Sequence, residues 1–210
     1  MPRKYPKWNR DTNKSWYNLP DTCEIIYSSN LAECSDICAS YLQCEETSIV
    51  VGFDAEWPVS YEKGKEDKVA VVQICVEPTK CFIFQVSEMV RFPPMLKYLI
   101  EHENFIKVGV NVEGDVMKLC RNFGIVGEKA MRSCVNLGPL ANSVLDKSDN
   151  WSMATLCKYL FEKEVAKGAK VRMSRWDRHP LSPGQLKYAA LDAYLSLEIY
   201  QNLIELRGGV

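Results

Sequence analysis

Residues 48 to 57 read Ser-Ile-Val-Val-Gly-Phe-Asp-Ala-Glu-Trp, an almost unbroken β-branched and apolar run that ends in two acids. Such a run is the signature of a strand buried on both faces, so other elements must cover each side of its sheet. Side chains alternate along a strand, so Asp54 and Glu56 leave the same face, with roughly 6 to 7 Å between their α-carbons. At about 4 Å separation and an effective dielectric near 20, two like charges repel by on the order of 4 kcal/mol. A positive group is therefore expected beside them. Taken alone the Asp-x-Glu pattern is a weak signal, because an exposed strand end where both acids hydrate fits it as well.

Two further acids stand in telling positions. The segment from Leu181 to Tyr200 opens as a helix: Ser182 suits the N-cap, Pro183 the first helical position, and Gln185 completes a capping box. Beyond it, Leu186, Ala189, Ala190, Ala193 and Leu197 recur at helical spacing, beside a stripe of Tyr188, Asp192, Leu195 and Ile199. A carboxylate that close to packed side chains needs a partner or a metal. The plainer reading is a core tyrosine with an aspartate on the rim. Asp115 falls in the first turn of a helix predicted over 114–123, where the macrodipole also favours an acid, and neighbouring Glu113 competes with it.

The joint pattern resembles the DEDDy exonucleases, named for four acids and a tyrosine. The resemblance is nearest to the Werner-syndrome type of exonuclease domain, with the ribonuclease D catalytic domain more distant. It rests on Val-Gly-Phe-Asp54-Ala-Glu56-Trp-Pro, on Val-Gly-Val-Asn-Val-Glu-Gly-Asp115-Val-Met-Lys-Leu, and on Trp176, Pro180-Leu181, Gln185 and Tyr188-Ala-Ala-Leu-Asp192-Ala-Tyr. It spans about residues 24 to 206. Two departures stand out. Asn136-Leu-Gly-Pro139 lacks an acid expected after the penultimate strand, and Val116 and Met117 occupy positions that are polar and aromatic in the Werner type.

The resemblance implies metal-dependent removal of nucleoside 5′-monophosphates from a DNA 3′ end, in repair or replication, with RNA trimming of the ribonuclease D type or a non-catalytic nucleic-acid adaptor as alternatives. It implies two Mg²⁺ or Mn²⁺ about 3.5 to 4 Å apart. Asp54 would bridge them, Glu56 and Asp192 would complete the nucleophile side, and Asp115 would hold the second metal through water. Tyr188 would orient the attacking water, since a phenol with pKa near 10 is a poor base. A nuclear location and a RecQ-type helicase, fused or acting alongside, also follow from the resemblance alone.

A substrate grip is expected in Lys163 to Arg178, which holds Lys163, Lys167, Lys170, Arg172, Arg175 and Arg178 against Glu164 and Asp177. Lys170, Arg172, Arg175 and Arg178 are the candidate phosphate contacts and Trp176 the candidate base-stacking ring, although Trp176 could instead anchor the loop to the core. Residues 1–22, with Arg3, Lys4, Lys7, Arg10, Lys14, Trp8 and Trp16, read as a disordered basic arm ahead of an exonuclease domain over 23–207. Net charge is only −1, so basicity is local.

Nine cysteines do not make a zinc site here: the count is odd, no Cys-x-x-Cys occurs, and His102 and His179 are the only histidines. Cys34 and Cys38 fall on an apolar helical stripe, and Cys75 and Cys81 in strands, so buried free thiols of a reducing compartment are expected. No apolar run reaches the roughly 18 residues of a membrane span, so a soluble domain is expected. The predicted order is strand 24–28, helix 30–44, strands 48–57, 69–76 and 80–86, helix 94–102, strand 105–110, helix 114–123, strand 131–136, and helices 151–161 and 182–206. Three successive strands and then alternating helix and strand imply an α/β fold, a mixed β-sheet flanked by α-helices, matching the ribonuclease H-like architecture of the resembling family. Residues 61–68 read as a polar hairpin connection beside the site. The ending Arg207-Gly-Gly-Val210 reads as an artificial boundary, because the resembling domain is often joined to a helicase. The chain itself carries no helicase motif.

Overall fold

The computed structural model describes residues 15–42, 48–59, 67–166 and 168–208. Lys167, residues 61–66 of the expected hairpin connection, and the basic residues of the expected arm lie outside them. Strands β1 (Glu24–Ser28), β2 (Ile49–Glu56), β3 (Val71–Glu77), β4 (Lys80–Phe84), β5 (Phe105–Gly109) and β6 (Cys134–Asn136) form one sheet in the order β1-β4-β3-β2-β5-β6. β2, β3 and β4 run antiparallel to their neighbours within that trio, while β1 on β4, β5 on β2 and β6 on β5 pair parallel. The mixed sheet flanked by helices is the architecture anticipated.

Alternation along the strands divides the core in two. Val51, Phe53 and Ala55 of β2 and Val72 and Ile74 of β3 join a layer with helices α1 (Leu31–Leu42), α2 (Pro94–Glu101), α3 (Val112–Phe123) and α4 (Gly127–Arg132). On the opposite face Val71, Cys75, Cys81 and Ile83 pack against α8 (Pro183–Gly208), while Val108 packs with α5 (Leu137–Leu145), α6 (Met153–Phe161) and α8. The remaining helix, α7 (Ala169–Arg172), is a single turn that packs on α8. Cys34 and Cys38 are buried on the sheet side of α1, and the eight described cysteines are free thiols.

Two glycines let backbones approach where a side chain could not. A Cβ on Gly52 would lie 1.8 Å from the Ala193 carbonyl oxygen, so α8 crosses β2 nearly backbone to backbone, helped by Ala189, Ala190 and Ala193. A Cβ on Gly109 would lie 2.7 Å from the Phe53 oxygen. The start of α8 is fixed as its sequence demands: Gln185 N donates to Ser182 Oγ at 3.3 Å, and Ser182 N to Gln185 Oε1 at 3.0 Å.

The structure differs from expectation in three places. The predicted strand over 131–136 is shorter at its start: Met131 and Arg132 close α4 and Cys134–Asn136 are extended, because Glu128, Lys129, Ala130 and Met131 are all strong helix formers. Helix α5 was not anticipated, since Gly138-Pro139 reads as a breaker. Proline is tolerated in a first turn, whose N–H groups lack intrahelical partners anyway, and Asn136 caps the helix by accepting from Gly138 N at 3.3 Å. Finally, the expected arm is partly attached: Trp16 bridges to Glu164, Tyr17 N donates to Glu164 O at 2.8 Å, and the Tyr17 ring lies 5.3 Å from Phe161.

The Gly52 crossing makes a direct prediction. Gly52→Ala should overpack the β2–α8 contact and cost on the order of 3 kcal/mol, lowering the thermal midpoint by roughly 6 to 12 °C. An unchanged midpoint in a thermal melt would contradict the close approach.

Candidate active site

Three elements deliver the four acids to one place. Asp54 and Glu56 occupy the carboxyl end of β2, on the face toward α8, as the alternation requires. The Gly52 crossing sets α8 directly over them and brings in Asp192, three residues past Ala189. One carboxylate oxygen each from Asp54, Glu56 and Asp192 lie within 4.8 Å of one another. Helix α3 starts from the adjoining end of β5 and carries Asp115 in its first turn, where it shares a hydrogen bond with Asp54. Tyr188 lies one turn before Asp192 on α8, and the Asp192 charge acts on its phenol.

Glu113 is separated from this group. Asn136 Nδ2 donates to Glu113 Oε2 at 2.7 Å, while Asn136 Oδ1 accepts from Asn111 N and Gly138 N, both at 3.3 Å. The amide at the position where an acid was expected thus satisfies two N–H groups and a carboxylate together. An acid there could accept from the first two but would repel Glu113. Of the other departures, Val116 is buried in the core and Met117 is half exposed.

The electrostatics follow from crowding. Glu56 and Asp115 are only 9 % and 7 % exposed, and Asp54 and Asp192 are partly buried. Burial, and then the charges of Asp54, Asp192 and Asp115, push the Glu56 carboxyl up to about 10. Burial also raises Asp115 and Asp192, each further opposed by the Asp54 charge. Asp54 rises least, to about 6, because the Ala55 N–H, the Gln73 amide and Asp115 hydrogen-bond to it. Burial and the Asp192 and Glu56 charges push the Tyr188 phenol upward too. Oxygen donors that resist ionising together in one pocket are a donor set suited to hard divalent cations. The group Asp54, Glu56 and Asp192 could hold a metal ion.

The basic segment lies beside this pocket. Lys170, Arg172, Arg175 and Arg178 are exposed. The Arg172 charge opposes the rise at Asp54, Glu56 and Asp192. Arg175 forms a two-pronged pair with Asp177, both contacts at 2.8 Å. Of the two roles open to Trp176, base stacking fails and anchoring the loop holds. The ring is 0 % exposed, donates through Nε1 to Arg172 O at 3.0 Å, and sits 6.1 Å from the Tyr188 ring, so it anchors the loop. A Cβ on Gly168 would lie 2.7 Å from Tyr188 Cε2, so the start of α7 presses on the same tyrosine.

One contact escaped the sequence reading. Gln73, paired with Asp54 across β2 and β3, donates from Nε2 to Asp54 Oδ2 at 2.9 Å. The available signal was a lone amide inside the apolar run Val69 to Val76, which a buried strand tolerates only with a partner.

The profile of a family described as 3′-5′ exonuclease matches residues 25–206 of this chain. The chain belongs to this 3′-5′ exonuclease family. Among relatives of the exonuclease, the mouse bifunctional 3′-5′ exonuclease/ATP-dependent helicase WRN is 40% identical over 179 residues, covering 85% of this chain and 12% of that protein. A Drosophila melanogaster 3′-5′ exonuclease is 36% identical over 178 residues, covering 84% of this chain and 50% of its own length. The chain therefore spans half or less of these relatives. In fold it is similar to the Aedes aegypti Nibbler EXO domain (TM-score 0.73, 17% identity, 92% of this chain and 93% of that one). It is also similar to Trypanosoma brucei RNase D in a GMP complex (TM-score 0.71, 18% identity, 86% and 57%).

The raised carboxyls set the pH dependence of the exonuclease without metal. Between about 4, the unfolded value, and the folded values of about 6 at Asp54 to about 10 at Glu56, the folded chain holds the extra protons. Their contribution to stability is full below about pH 4 and is lost as pH rises through about 6 to 10. Melts in chelator should show this loss, whereas saturating Mg²⁺ or Mn²⁺ should raise the midpoint at pH 8. Indifference to the cation at pH 8 would contradict the crowding.

Proposed function

We propose that this exonuclease removes nucleoside 5′-monophosphates one at a time from a DNA 3′ end, using two Mg²⁺ or Mn²⁺. The observation that carries the proposal is the convergence of Asp54, Glu56 and Asp192, with carboxylate oxygens within 4.8 Å of one another, next to Asp115 and with Tyr188 one turn from Asp192 on α8. In this reading Asp54, Glu56 and Asp192 would hold the cation on the nucleophile side, and Asp115 would help to hold the second. Bound cations would supply an activated water and charge stabilisation at the leaving oxygen. The chain's own groups then hold the geometry. Tyr188, protonated at neutral pH because its phenol is pushed upward, orients the water through its hydroxyl and does not act as base. Lys170, Arg172, Arg175 and Arg178 draw in the phosphate backbone without regard to sequence. Trp176 supports Tyr188 and Arg172 from beneath.

DNA is the favoured substrate because the mouse relative at 40% identity joins its exonuclease to an ATP-dependent helicase in one polypeptide. That likeness supports action with a RecQ-type helicase, in the nucleus, during repair or replication. No described helix is long and apolar enough to cross a membrane. RNA trimming is the second reading, supported by a shared fold with Trypanosoma brucei RNase D in complex with RNA U12, at TM-score 0.70 and 19% identity.

Matched 3′-recessed DNA, single-stranded DNA and RNA, incubated with Mg²⁺, Mn²⁺ or chelator and resolved to single nucleotides, separate the readings. Metal-dependent laddering of DNA is expected; preferential RNA laddering would move the substrate, and binding without cleavage would leave an adaptor. Asp54→Asn should abolish cleavage. Tyr188→Phe should lower turnover by roughly 10²-fold or more with Mn²⁺ binding retained, and unchanged turnover would refute the water-orienting role.

A further inference from the structure

Gln73 is fully buried in β3 between Val72 and Ile74, and its side chain leaves the sheet on the α8 face, directly across from Asp54. Only one end of its amide is used. Nε2 donates to Asp54 Oδ2 at 2.9 Å, while Oε1 is buried with no hydrogen-bond partner. Among the described residues Trp16 Nε1 is the one other buried side-chain N or O atom without a partner. Turning the amide over would set Oε1 against the carboxylate, acceptor against acceptor, so the N–H must face Asp54.

A glutamine kept merely to fill the sheet is a poor choice here. Burying an unmet carbonyl is costly, and Leu or Met would fill the same strand position without that cost. The cost is offset where a donor to a carboxylate is needed, because hydrogen bonds to charged groups are stronger than neutral ones. Three other acids crowd Asp54, and among the described residues the Gln73 amide is the side-chain N–H that donates to it. With Oδ2 occupied by Gln73, Asp54 keeps one carboxylate edge defined.

We propose that Gln73 is a positioning residue for the divalent cations: by pinning Oδ2 of Asp54 from β3, it fixes the orientation in which that carboxylate meets Glu56, Asp115 and Asp192, and so sets cation affinity. This inference rests on the reading of those four carboxylates as cation ligands. Outer groups that orient a ligating carboxylate are worth about 10- to 100-fold in metal affinity. Gln73 has that relation to Asp54.

The test is calorimetric titration of Mn²⁺ into the full chain without nucleic acid, for the native protein, Asp54→Asn, Gln73→Leu and Gln73→Met. Melts in chelator and turnover as a function of Mn²⁺ concentration accompany it. The native protein should bind Mn²⁺ and Asp54→Asn should not; if the native protein fails to bind, the reading of the acids falls, and this inference with it. Given native binding, Gln73→Leu and Gln73→Met should keep the native midpoint in chelator or exceed it, bind Mn²⁺ roughly 10- to 100-fold more weakly, and recover turnover as Mn²⁺ is raised. Unchanged Mn²⁺ affinity in both variants would overturn the inference and leave the reading of the acids standing. A fallen midpoint in chelator in both variants, or turnover that excess Mn²⁺ does not restore, would also overturn it, because the amide would then be holding the sheet and not the ligand.

Discussion

Like charges forced together are the constraint on which this molecule turns. At about 4 Å and an effective dielectric near 20, each pair of ionised carboxylates costs on the order of 4 kcal/mol, and here four such groups share one small, partly buried space. The scaffold imposes the arrangement. β2 carries two acids on one face because strand side chains alternate, and Gly52 lets α8 lie close enough to add Asp192. Parallel pairing of β5 with β2 sets the start of α3, and with it Asp115, at the same end of the sheet. The packed layers on both faces hold the acids at separations they would not choose.

What surrounds the acids is graded in charge. Next to Asp54 stand neutral donors, the Ala55 N–H and the Gln73 amide, which favour its ionised form without competing for a cation. Farther out stands Arg172, whose charge favours the ionised form of three of the acids. It is held by the fully buried Trp176 indole on its carbonyl oxygen. An acidic centre with a basic rim accounts for a net charge of only −1 in a nuclease, since the opposite charges are separated in space and nearly cancel in the sum.

Much of this was legible in the sequence because it is local. Alternation in one strand puts Asp54 and Glu56 on one face, and a capping box with helical spacing puts Tyr188 one turn before Asp192. The mixed sheet followed from the order of elements. What was not legible depends on register and on how loops close. Gln73 meets Asp54 only through the pairing of β3 with β2, which one strand's sequence does not specify. Trp176 amid basic residues leaves stacking and anchoring both open, and the return of its loop onto Tyr188 decides for the anchor. Glu113 and Asp115 are two residues apart in one helix turn, and Asn136, arriving from β6, is what separates them. Helix α5 was hidden because Gly138-Pro139 reads as a break until Asn136 caps it.

The most direct test of the account is a count of protons. Carboxyls held above the ordinary range by burial and mutual repulsion must give up protons when divalent cations replace the repulsion. Mn²⁺ titration at pH 7, repeated in buffers of different ionisation enthalpy, measures that release. Release of at least one proton per chain is expected, shrinking as the pH is raised; cation binding with no proton released at pH 7 would contradict the crowding of the four acids.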